Sequence, residues 1–90
     1  PEIRFDCPDS RKFDSVAGVA EEVRGEPGAD FEDMDGIRVE AEDGWWLLRA
    51  SNTQPMLVVR CESSTALGLE QIKIDVRARL EAQGISGDAI

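Results

Sequence analysis

A short polar run between two apolar segments holds the residue types in this chain that are best suited to chemistry. The run is Arg49-Ala50-Ser51-Asn52-Thr53-Gln54-Pro55, and it lies between the apolar residues 45–48 and 56–59. A guanidinium offers a planar fork of N–H donors that matches phosphate oxygens, and hydroxyl, amide and backbone N–H groups add short donors beside it. The run therefore predicts a loop that binds a small anion. Its candidate ligands are Arg49, Ser51, Asn52 and Thr53.

The same residues also have a purely structural interpretation. Arg49 at a strand end can form a solvated ion pair with one of the 19 acidic residues, and such a pair contributes little to stability. Ser51 and Asn52 are common in turns because their side chains bond nearby backbone groups. From the residues alone the two interpretations of Arg49 are evenly balanced. For its neighbours, the adjacency of several donors to one arginine favours anion binding.

The segments that must position this loop predict strands. Residues 3–6 and 37–41 alternate apolar and polar side chains, and Asp43-Gly44 between alternating runs is typical of a hairpin. The return strand of that hairpin covers residues 45–49, and the strand after the loop covers residues 56–61. The Leu-Val-Val run in this last strand predicts burial on both of its faces.

Two helices are predicted around these strands. The candidate caps are Asp9 or Ser10 for the first helix and Ser63, Ser64 or Thr65 for the second. The apolar stripes predicted to face the core are Phe13, Val16, Ala17, Ala20 and Val23 in the first, and Leu69, Ile72, Val76, Leu80 and Ile85 in the second. Gly25 and Gly84 are predicted to end the helices, and residues 86–90 to fray. Gly68 is expected to be a weak point, because glycine in a helix costs up to about 1 kcal/mol relative to alanine.

Two further segments carry structural expectations. The stretch 29–35 is acidic and rich in turn residues, with Phe31 and Met34 as its predicted apolar anchors; its spacing does not follow the calcium-ligand pattern of a helix–loop–helix site. Because Trp45 and Trp46 are adjacent in a strand, they face opposite sides of the sheet. One of them is expected in the core, and the other is expected to cover a surface between domains.

Three basic side chains and the cysteines are also expected to be structural. Arg11 and Lys12 lie at a helix start. Arg60 could point toward the candidate loop, but a surface ion pair with Glu62 or Glu40 is favoured. The two cysteines, Cys7 and Cys61, are too few for a zinc site or a disulfide framework, which indicates a reducing, cytoplasmic location. Cys61 is predicted to be a small buried hydrophobe.

Composition limits the classes of function. Ninety residues with 41% hydrophobic content make one domain with a modest core. The net charge of −9 repels polyanions and argues against nucleic-acid binding, and no apolar run approaches the length needed to cross a bilayer. The chain has no histidine, and no serine stands beside a candidate base, so we predict no catalytic residue and no metal ligand.

The order of elements predicts an α+β fold. A strand and a helix are followed by a hairpin, a further strand and a last helix. This order is typical of a small, mainly antiparallel sheet with two helices on one face. The other face is then partly solvated or covered by another domain.

Three stretches of the chain resemble the C-terminal domain of the α-D-phosphohexomutases. They are residues 3–9 followed by Arg11-Lys12-Phe13, the strand 35–39 with Asp43-Gly44-Trp45, and the loop Arg49-Ala50-Ser51-Asn52-Thr53 with Pro55. The resemblance covers nearly the whole chain, and the loop is its most specific part because it lies in the right order between the right strands. Asn52 stands where relatives acting on glucosamine phosphates more often have glycine. The chain is therefore most similar to the phosphomannomutase/phosphoglucomutase branch.

The resemblance implies that residues 1–90 are one domain, the phosphate-binding fourth domain of a longer four-domain enzyme, with a fold similar to TATA-binding protein. Enzymes of this family move phosphate between C1 and C6 of hexose phosphates, with Mg²⁺ and a hexose 1,6-bisphosphate intermediate. Their phosphoserine, magnesium loop and sugar-recognition loop lie in upstream domains, and none of these motifs occurs here. The resemblance thus assigns substrate-phosphate binding to the four loop ligands and predicts that the isolated domain is inactive.

The expected partners are a hexose phosphate and the upstream domains of the same chain. The alternative is a non-catalytic module that binds a small molecule or a protein on the same fold. A nucleic-acid-binding role would rest on the fold analogy alone, and the charge argues against it.

Overall fold

A computed structural model of the chain describes residues 2–90. Within this range the chain forms one antiparallel sheet and two helices, which confirms the predicted α+β class. In chain order the elements are β1 (Glu2–Asp6), α1 (Asp9–Arg24), β2 (Phe31–Glu32), β3 (Ile37–Glu40), β4 (Gly44–Ala50), β5 (Met56–Ser63) and α2 (Ala66–Ala82). The short β2, in the segment interpreted as turn-rich, was not predicted.

The sheet has the strand order β1-β5-β4-β3-β2, with every neighbouring pair antiparallel. The longest pairing joins β4 to β5, from Gly44 opposite Ser63 to Ala50 opposite Leu57. The predicted hairpin between β3 and β4 is confirmed, and its turn is closed by the Ala41 N–H, which donates to the Gly44 carbonyl at 2.7 Å. The loop of interest therefore connects the two most extensively paired strands.

Alternation along the central strands divides the sheet into two faces. Trp46 and Leu48 of β4 lie in the core at 1% exposure or less, while Trp45 and Leu47 point to the other side and stay half-buried. Both helices pack on the core side, α1 against β3, β4 and β5 and α2 against β4 and β5. The expectation that the two tryptophans face opposite ways is confirmed.

We call the side of the sheet away from the helices the open face. Its central residues are Trp45, Leu47 and Arg49 of β4 and Met56, Val58 and Arg60 of β5. Neither described helix packs against it. The three residues that were predicted to be buried on both faces of β5 have 1% exposure or less, which confirms that prediction; they are Leu57, Val58 and Val59.

Helix α1 buries a different stripe from the predicted one. Phe13 is 55% exposed and Ala17 is also exposed. The stripe instead contains Lys12, Ser15, Val16, Val19, Ala20 and Val23. Apolar identity alone favoured Phe13, whereas the helix turns the aliphatic stem of Lys12 inward at the neighbouring position. The predicted cap was wrong as well, because Pro8 holds the N-cap position and no side chain caps the helix.

Backbone pairing of β2 with β3, the partly buried Ala29 and an ion pair hold the segment between α1 and β3. Phe31 is 36% and Met34 is 90% exposed, so the prediction that they anchor this segment was wrong. The Nε atom of Arg24 pairs with Asp33 Oδ2 at 2.7 Å and links the segment to the end of α1. At the predicted turn, Gly36 has a φ of +79°, and a Cβ there would collide with the β4 backbone.

Helix α2 has the predicted ends but not the predicted weak point. The Thr65 hydroxyl caps the helix by accepting the Gly68 N–H at 2.9 Å, and Gly84 follows the helix end with a φ of +78°. A Cβ on Gly68 would lie 2.8 Å from the Thr65 hydroxyl oxygen, so glycine is required at this crowded first turn. The N–H group of Ile85 donates to the Leu80 carbonyl at 3.0 Å, which completes the stop.

The C-terminal residues are ordered against the domain, so the prediction of fraying was wrong. The Nη2 atom of Arg77 donates to the Ile90 carbonyl at 2.9 Å, and Ile90 packs against the core cluster. In the predicted α2 stripe, Ile72, Val76 and Leu80 are buried. The remaining two, Leu69 and Ile85, are partly buried against the core.

A cluster of charges joins the two helices on their outer side. Arg79 of α2 lies 2.8 Å from Glu22 and 2.8 Å from Glu26 of α1, and 3.1 Å from Asp75. Its guanidinium carbon also lies 5.7 Å from the centroid of the Trp46 ring. The hydrogen bond from Arg79 holds the pKa of Glu26 below its usual range, against the opposing effect of burial. The folded state is therefore stabilised by the ionised form of Glu26.

This arrangement predicts how Glu26 contributes to stability at different pH values. A carboxyl group whose pKa is lower in the folded than in the unfolded state stabilises the fold at pH values above its unfolded-state pKa. This contribution disappears as the pH falls through the folded-state pKa. The substitution Glu26→Gln should therefore lower the free energy of unfolding at neutral pH, by no more than about 1 kcal/mol because the Glu26 side chain is 42% exposed to solvent. The difference between the variant and the wild type should vanish well below pH 4.5.

Denaturant unfolding at neutral and acid pH measures this difference. The control is Glu21→Gln, since the exposed side chain of Glu21 makes no hydrogen bond or ion pair within residues 2–90. A difference of the same size at both pH values would contradict the account.

Candidate functional site

Residues 51–55 form a tight loop between β4 and β5, and Ser51 shapes it. The backbone N–H of Ser51 donates to the Met56 carbonyl at 3.0 Å, which closes the base of the loop. The Ser51 hydroxyl oxygen accepts the N–H groups of Thr53 at 3.3 Å and Gln54 at 3.2 Å. These bonds hold the oxygen in place and leave its proton available to donate to a ligand.

The far side of the loop is anchored to the corner between β1 and α1. The Cys7 N–H donates to the Pro55 carbonyl at 2.8 Å, and the ammonium of Lys12 donates to the Gln54 carbonyl at 2.9 Å. Lys12 is only 4% exposed and also pairs with Asp9 at 2.8 Å. The expectation that Lys12 is structural is thus confirmed, and its structural role is to support the candidate loop.

Arg49 stands out among the eight arginines of the chain. It lies near the end of β4, opposite Val58, and its side chain belongs to the open face. It is half-buried, yet it makes no hydrogen bond and no ion pair with any of residues 2–90, whereas each of the other seven arginines makes one or the other. The structure therefore does not support the interpretation in which Arg49 forms a surface ion pair.

The remaining ligands of the predicted set lie on the loop itself. Asn52 and Thr53 are exposed, and Ser51 is half-buried. Asn52 lines an open groove whose wall includes Phe13 of α1, on the helix side of the sheet. The structure thus brings Ser51 and Thr53 into direct contact, while Arg49 and Asn52 flank them on the two sides of the sheet.

Arg60 pairs with a residue that the sequence did not suggest. Its Nε atom lies 3.9 Å from Glu2 Oε1, so the predicted pairing with Glu62 or Glu40 was wrong. Arg60 and Glu2 are direct partners across β1 and β5, a register that local sequence patterns do not reveal. The pKa of Glu2 is held below its usual range mainly by a hydrogen bond from Arg4, with further contributions from Arg60 and Arg49.

Other groups within residues 2–90 offer little reactive chemistry. Cys7 and Cys61 are buried and free, which confirms the prediction for Cys61, and desolvation raises the pKa of both thiols. Raised pKa values disfavour the reactive thiolate. No group of three or more metal-ligating residues comes together in this range. The described helices also include none that is long and apolar enough to cross a membrane.

A protein-family model matches most of the chain. The model of the C-terminal domain of phosphoglucomutase/phosphomannomutase matches residues 2–79. The chain belongs to this family. The match includes the whole candidate loop and both strands that hold it.

Individual relatives agree with the family assignment. A phosphomannomutase/phosphoglucomutase of Pseudomonas aeruginosa is 38% identical over 82 residues, which are 91% of this chain and 18% of that protein. A phosphoglucomutase of Neisseria gonorrhoeae is 35% identical over 83 residues, which are 91% of this chain and 18% of that protein. A probable phosphoglucosamine mutase of Methanopyrus kandleri is 37% identical over 60 residues, 67% of this chain and 13% of that protein. The chain thus spans less than a fifth of the length of these relatives.

A solved structure supports the fold as well as the family. It is the crystal structure of a phosphoglucomutase/phosphomannomutase family protein from Burkholderia thailandensis, with a TM-score of 0.75 and 30% sequence identity. The similarity covers 93% of this chain and 17% of that one. The resemblance inferred from the loop and its flanking strands is confirmed at the level of family and fold.

The buried ammonium of Lys12 should control the order of the loop. In Lys12→Met, which keeps an unbranched side chain one atom shorter and without the charge, the bond to the Gln54 carbonyl is lost. Loss of a charge-assisted bond of about 1.4 kcal/mol should speed amide hydrogen exchange in the loop about tenfold. The reporters are the N–H groups of Cys7 and Met56, which donate to the Pro55 and Gln54 carbonyls.

The matched control is Lys73→Met on α2. Lys73 makes no hydrogen bond or ion pair with the part of the chain that the structure describes. Unchanged exchange at Cys7 and Met56 in Lys12→Met would show that Lys12 does not order the loop.

Proposed function

We propose that this domain binds the phosphate group of a hexose phosphate in a longer phosphoglucomutase/phosphomannomutase, through Arg49, Ser51, Asn52 and Thr53. The observation that carries the proposal is the half-buried Arg49 guanidinium, which makes no hydrogen bond or ion pair with residues 2–90 and lies beside a loop already shaped by Ser51. The donors of a planar guanidinium match the oxygens of a phosphate dianion.

The internal bonds of the loop favour this use. Because Ser51 and the anchors Cys7 and Lys12 already order the loop, little conformational entropy is lost when an anion binds. The ammonium of Lys12 beneath the loop is paired with Asp9, so its contribution is to order the loop through the Gln54 carbonyl. An ordered loop of donors is what holding a phosphate group in one place requires.

In the proposed mechanism this domain positions the substrate and does not break bonds. A mutase that moves phosphate between C1 and C6 must bind its substrate in two orientations. A clamp that contacts the phosphate and not the sugar tolerates both orientations. Closure of the domain over the substrate would also exclude water, which competes as a phosphoryl acceptor.

The chemistry itself is assigned to the rest of the parent chain. The full enzyme is proposed to use Mg²⁺ and a hexose 1,6-bisphosphate intermediate, as the family resemblance implies. Residues 2–90 bring together no set of donors that fits a magnesium ion, so we propose that Mg²⁺ binds to the upstream domains. We also propose a cytoplasmic parent enzyme, since two cysteines are too few for a disulfide framework.

Glucose and mannose phosphates are the proposed substrates. Asn52 occupies the loop position that favours this branch over the glucosamine-phosphate enzymes, and the relatives with matches over about 90% of the chain are named phosphomannomutase/phosphoglucomutase or phosphoglucomutase. The relative named a probable phosphoglucosamine mutase matches over 67% of the chain.

The substitution Arg49→Ala in the full-length parent tests the clamp. It removes a charged contact made to the phosphate in both the ground state and the transition state, so the loss should fall mainly on KM. A charge-assisted bond of about 2 kcal/mol corresponds to a roughly 30-fold increase in KM for glucose 1-phosphate or mannose 1-phosphate. Arg49→Lys, which keeps the charge without the fork, should give an intermediate value.

Steady-state mutase assays of these variants provide the measurement. Lys73→Ala is the control, since the side chain of Lys73 on α2 makes no hydrogen bond or ion pair with residues 2–90 and does not line the groove beside Asn52. If KM and kcat were both unchanged in Arg49→Ala, the phosphate-binding role of the loop would be excluded.

A further inference from the structure

The open face has the composition of a protein interface. Its side chains include Trp45, Met56 and four arginines but no lysine; the arginines are Arg4, Arg38, Arg49 and Arg60. Interfaces are enriched in tryptophan, methionine and arginine and depleted in lysine. The open face also carries five carboxylates, those of Glu2, Asp6, Glu32, Glu40 and Glu62, so its charge is −1 and nearly all of the net charge of −9 falls on the remainder of the domain.

The side chains of this face are already held in place. The guanidinium carbon of Arg38 lies 4.2 Å from the centroid of the Trp45 ring, and that of Arg60 lies 5.9 Å from it. Val58 points outward yet is only 1% exposed, between its cross-strand neighbours Arg4 and Arg49. A surface whose long side chains are ordered before contact loses less conformational entropy when a partner binds.

The remainder of the parent chain is the partner best placed to cover this face. The family to which the chain belongs is described as a C-terminal domain, and the match spans only 18% of the first relatives. The other domains of such a parent precede residue 2. The first described element, β1, is an edge strand that carries Glu2 and Arg4 on the open face. A preceding domain is therefore tethered beside this face at high effective concentration.

We propose that the open face docks against the preceding domain of the parent chain, with Trp45 and Leu47 at the centre of the contact. The surface that it meets is expected to be apolar at its centre and to offer carboxylates to Arg38 and Arg60. Because Arg49 points from the same face, docking places the candidate phosphate loop at the rim of the contact, facing the preceding domain. The inference rests on family membership and does not depend on phosphate binding by the loop.

The two methionines of the chain make the proposal measurable in the full-length parent. Met56 lies on the open face, and Met34 lies in the segment between β2 and β3 with 90% exposure. Peroxide oxidation of each residue is followed by mass spectrometry. The test variant is Leu47→Asp, which places a charge at the proposed centre. On the open face, the cross-strand pair of Arg49 and Val58 separates Leu47 from Met56. The control variant is Leu67→Asp, at a 70% exposed position on α2.

The proposal predicts slow oxidation of Met56 and fast oxidation of Met34 in the wild-type parent. In Leu47→Asp, the loss of one central contact should lower the fraction of parent molecules with the open face docked. Met56 should then be oxidised roughly tenfold faster, and the oxidation rate of Met34 should not change. Leu67→Asp should change neither rate. Leu47→Ala, which introduces no charge, should show a smaller acceleration in the same direction and serves if the aspartate variant does not fold.

Three results would overturn the proposal. One is equal Met56 oxidation in the wild type and both Leu47 variants, and another is Met56 oxidation as fast as that of Met34 in the wild type. The third is Met56 protection that is lost on dilution, in a parent protein whose mass before dilution is that of a dimer. That result would assign the open face to a second copy of the chain. The phosphate proposal is judged separately, because Arg49→Ala should raise KM whether or not Met56 of the substrate-free parent is protected.

Discussion

The pairing of β4 with β5 is the constraint on which the rest of the domain depends. Its register, from Gly44 opposite Ser63 to Ala50 opposite Leu57, turns Trp46 and Leu48 toward the helices and Arg49 toward the open face. Because side chains alternate with a period of two, a slip of one residue would bury the Arg49 guanidinium and expose Leu48. The core, the open face and the candidate loop are thus fixed by one set of backbone bonds.

The loop at the end of this pairing is held by parts of the chain that are distant in sequence. Lys12 reaches across 42 residues to the Gln54 carbonyl, and Cys7 secures Pro55 from the same corner. A charged group that is 4% exposed is costly unless it is paired, and here both of its partners are fixed by the fold. The anchors leave the Arg49 side chain and the outer side of the loop unengaged. The order of the loop is therefore a property of the packed domain and not of the sequence 51–55.

The sequence predicted those features that local patterns encode. Alternation and Asp43-Gly44 predicted β3, β4 and their hairpin, and the polar run after Arg49 predicted the loop between β4 and β5. Three-dimensional packing decided the features that were mispredicted. Phe13 is more apolar than Lys12, yet the lysine is buried because its ammonium finds a loop carbonyl. Gly68 looks unfavourable in a helix, but no local pattern shows that the Thr65 cap leaves no room there for a Cβ.

A crystal structure of the full-length parent with a bound hexose phosphate would test the central claim most directly. The account predicts that one phosphate group lies against the loop, with its oxygens bonded to the Arg49 guanidinium and the Ser51 hydroxyl and with Asn52 and Thr53 beside them. A phosphate held entirely by other domains, with Arg49 paired instead to a carboxylate of the preceding domain, would contradict it.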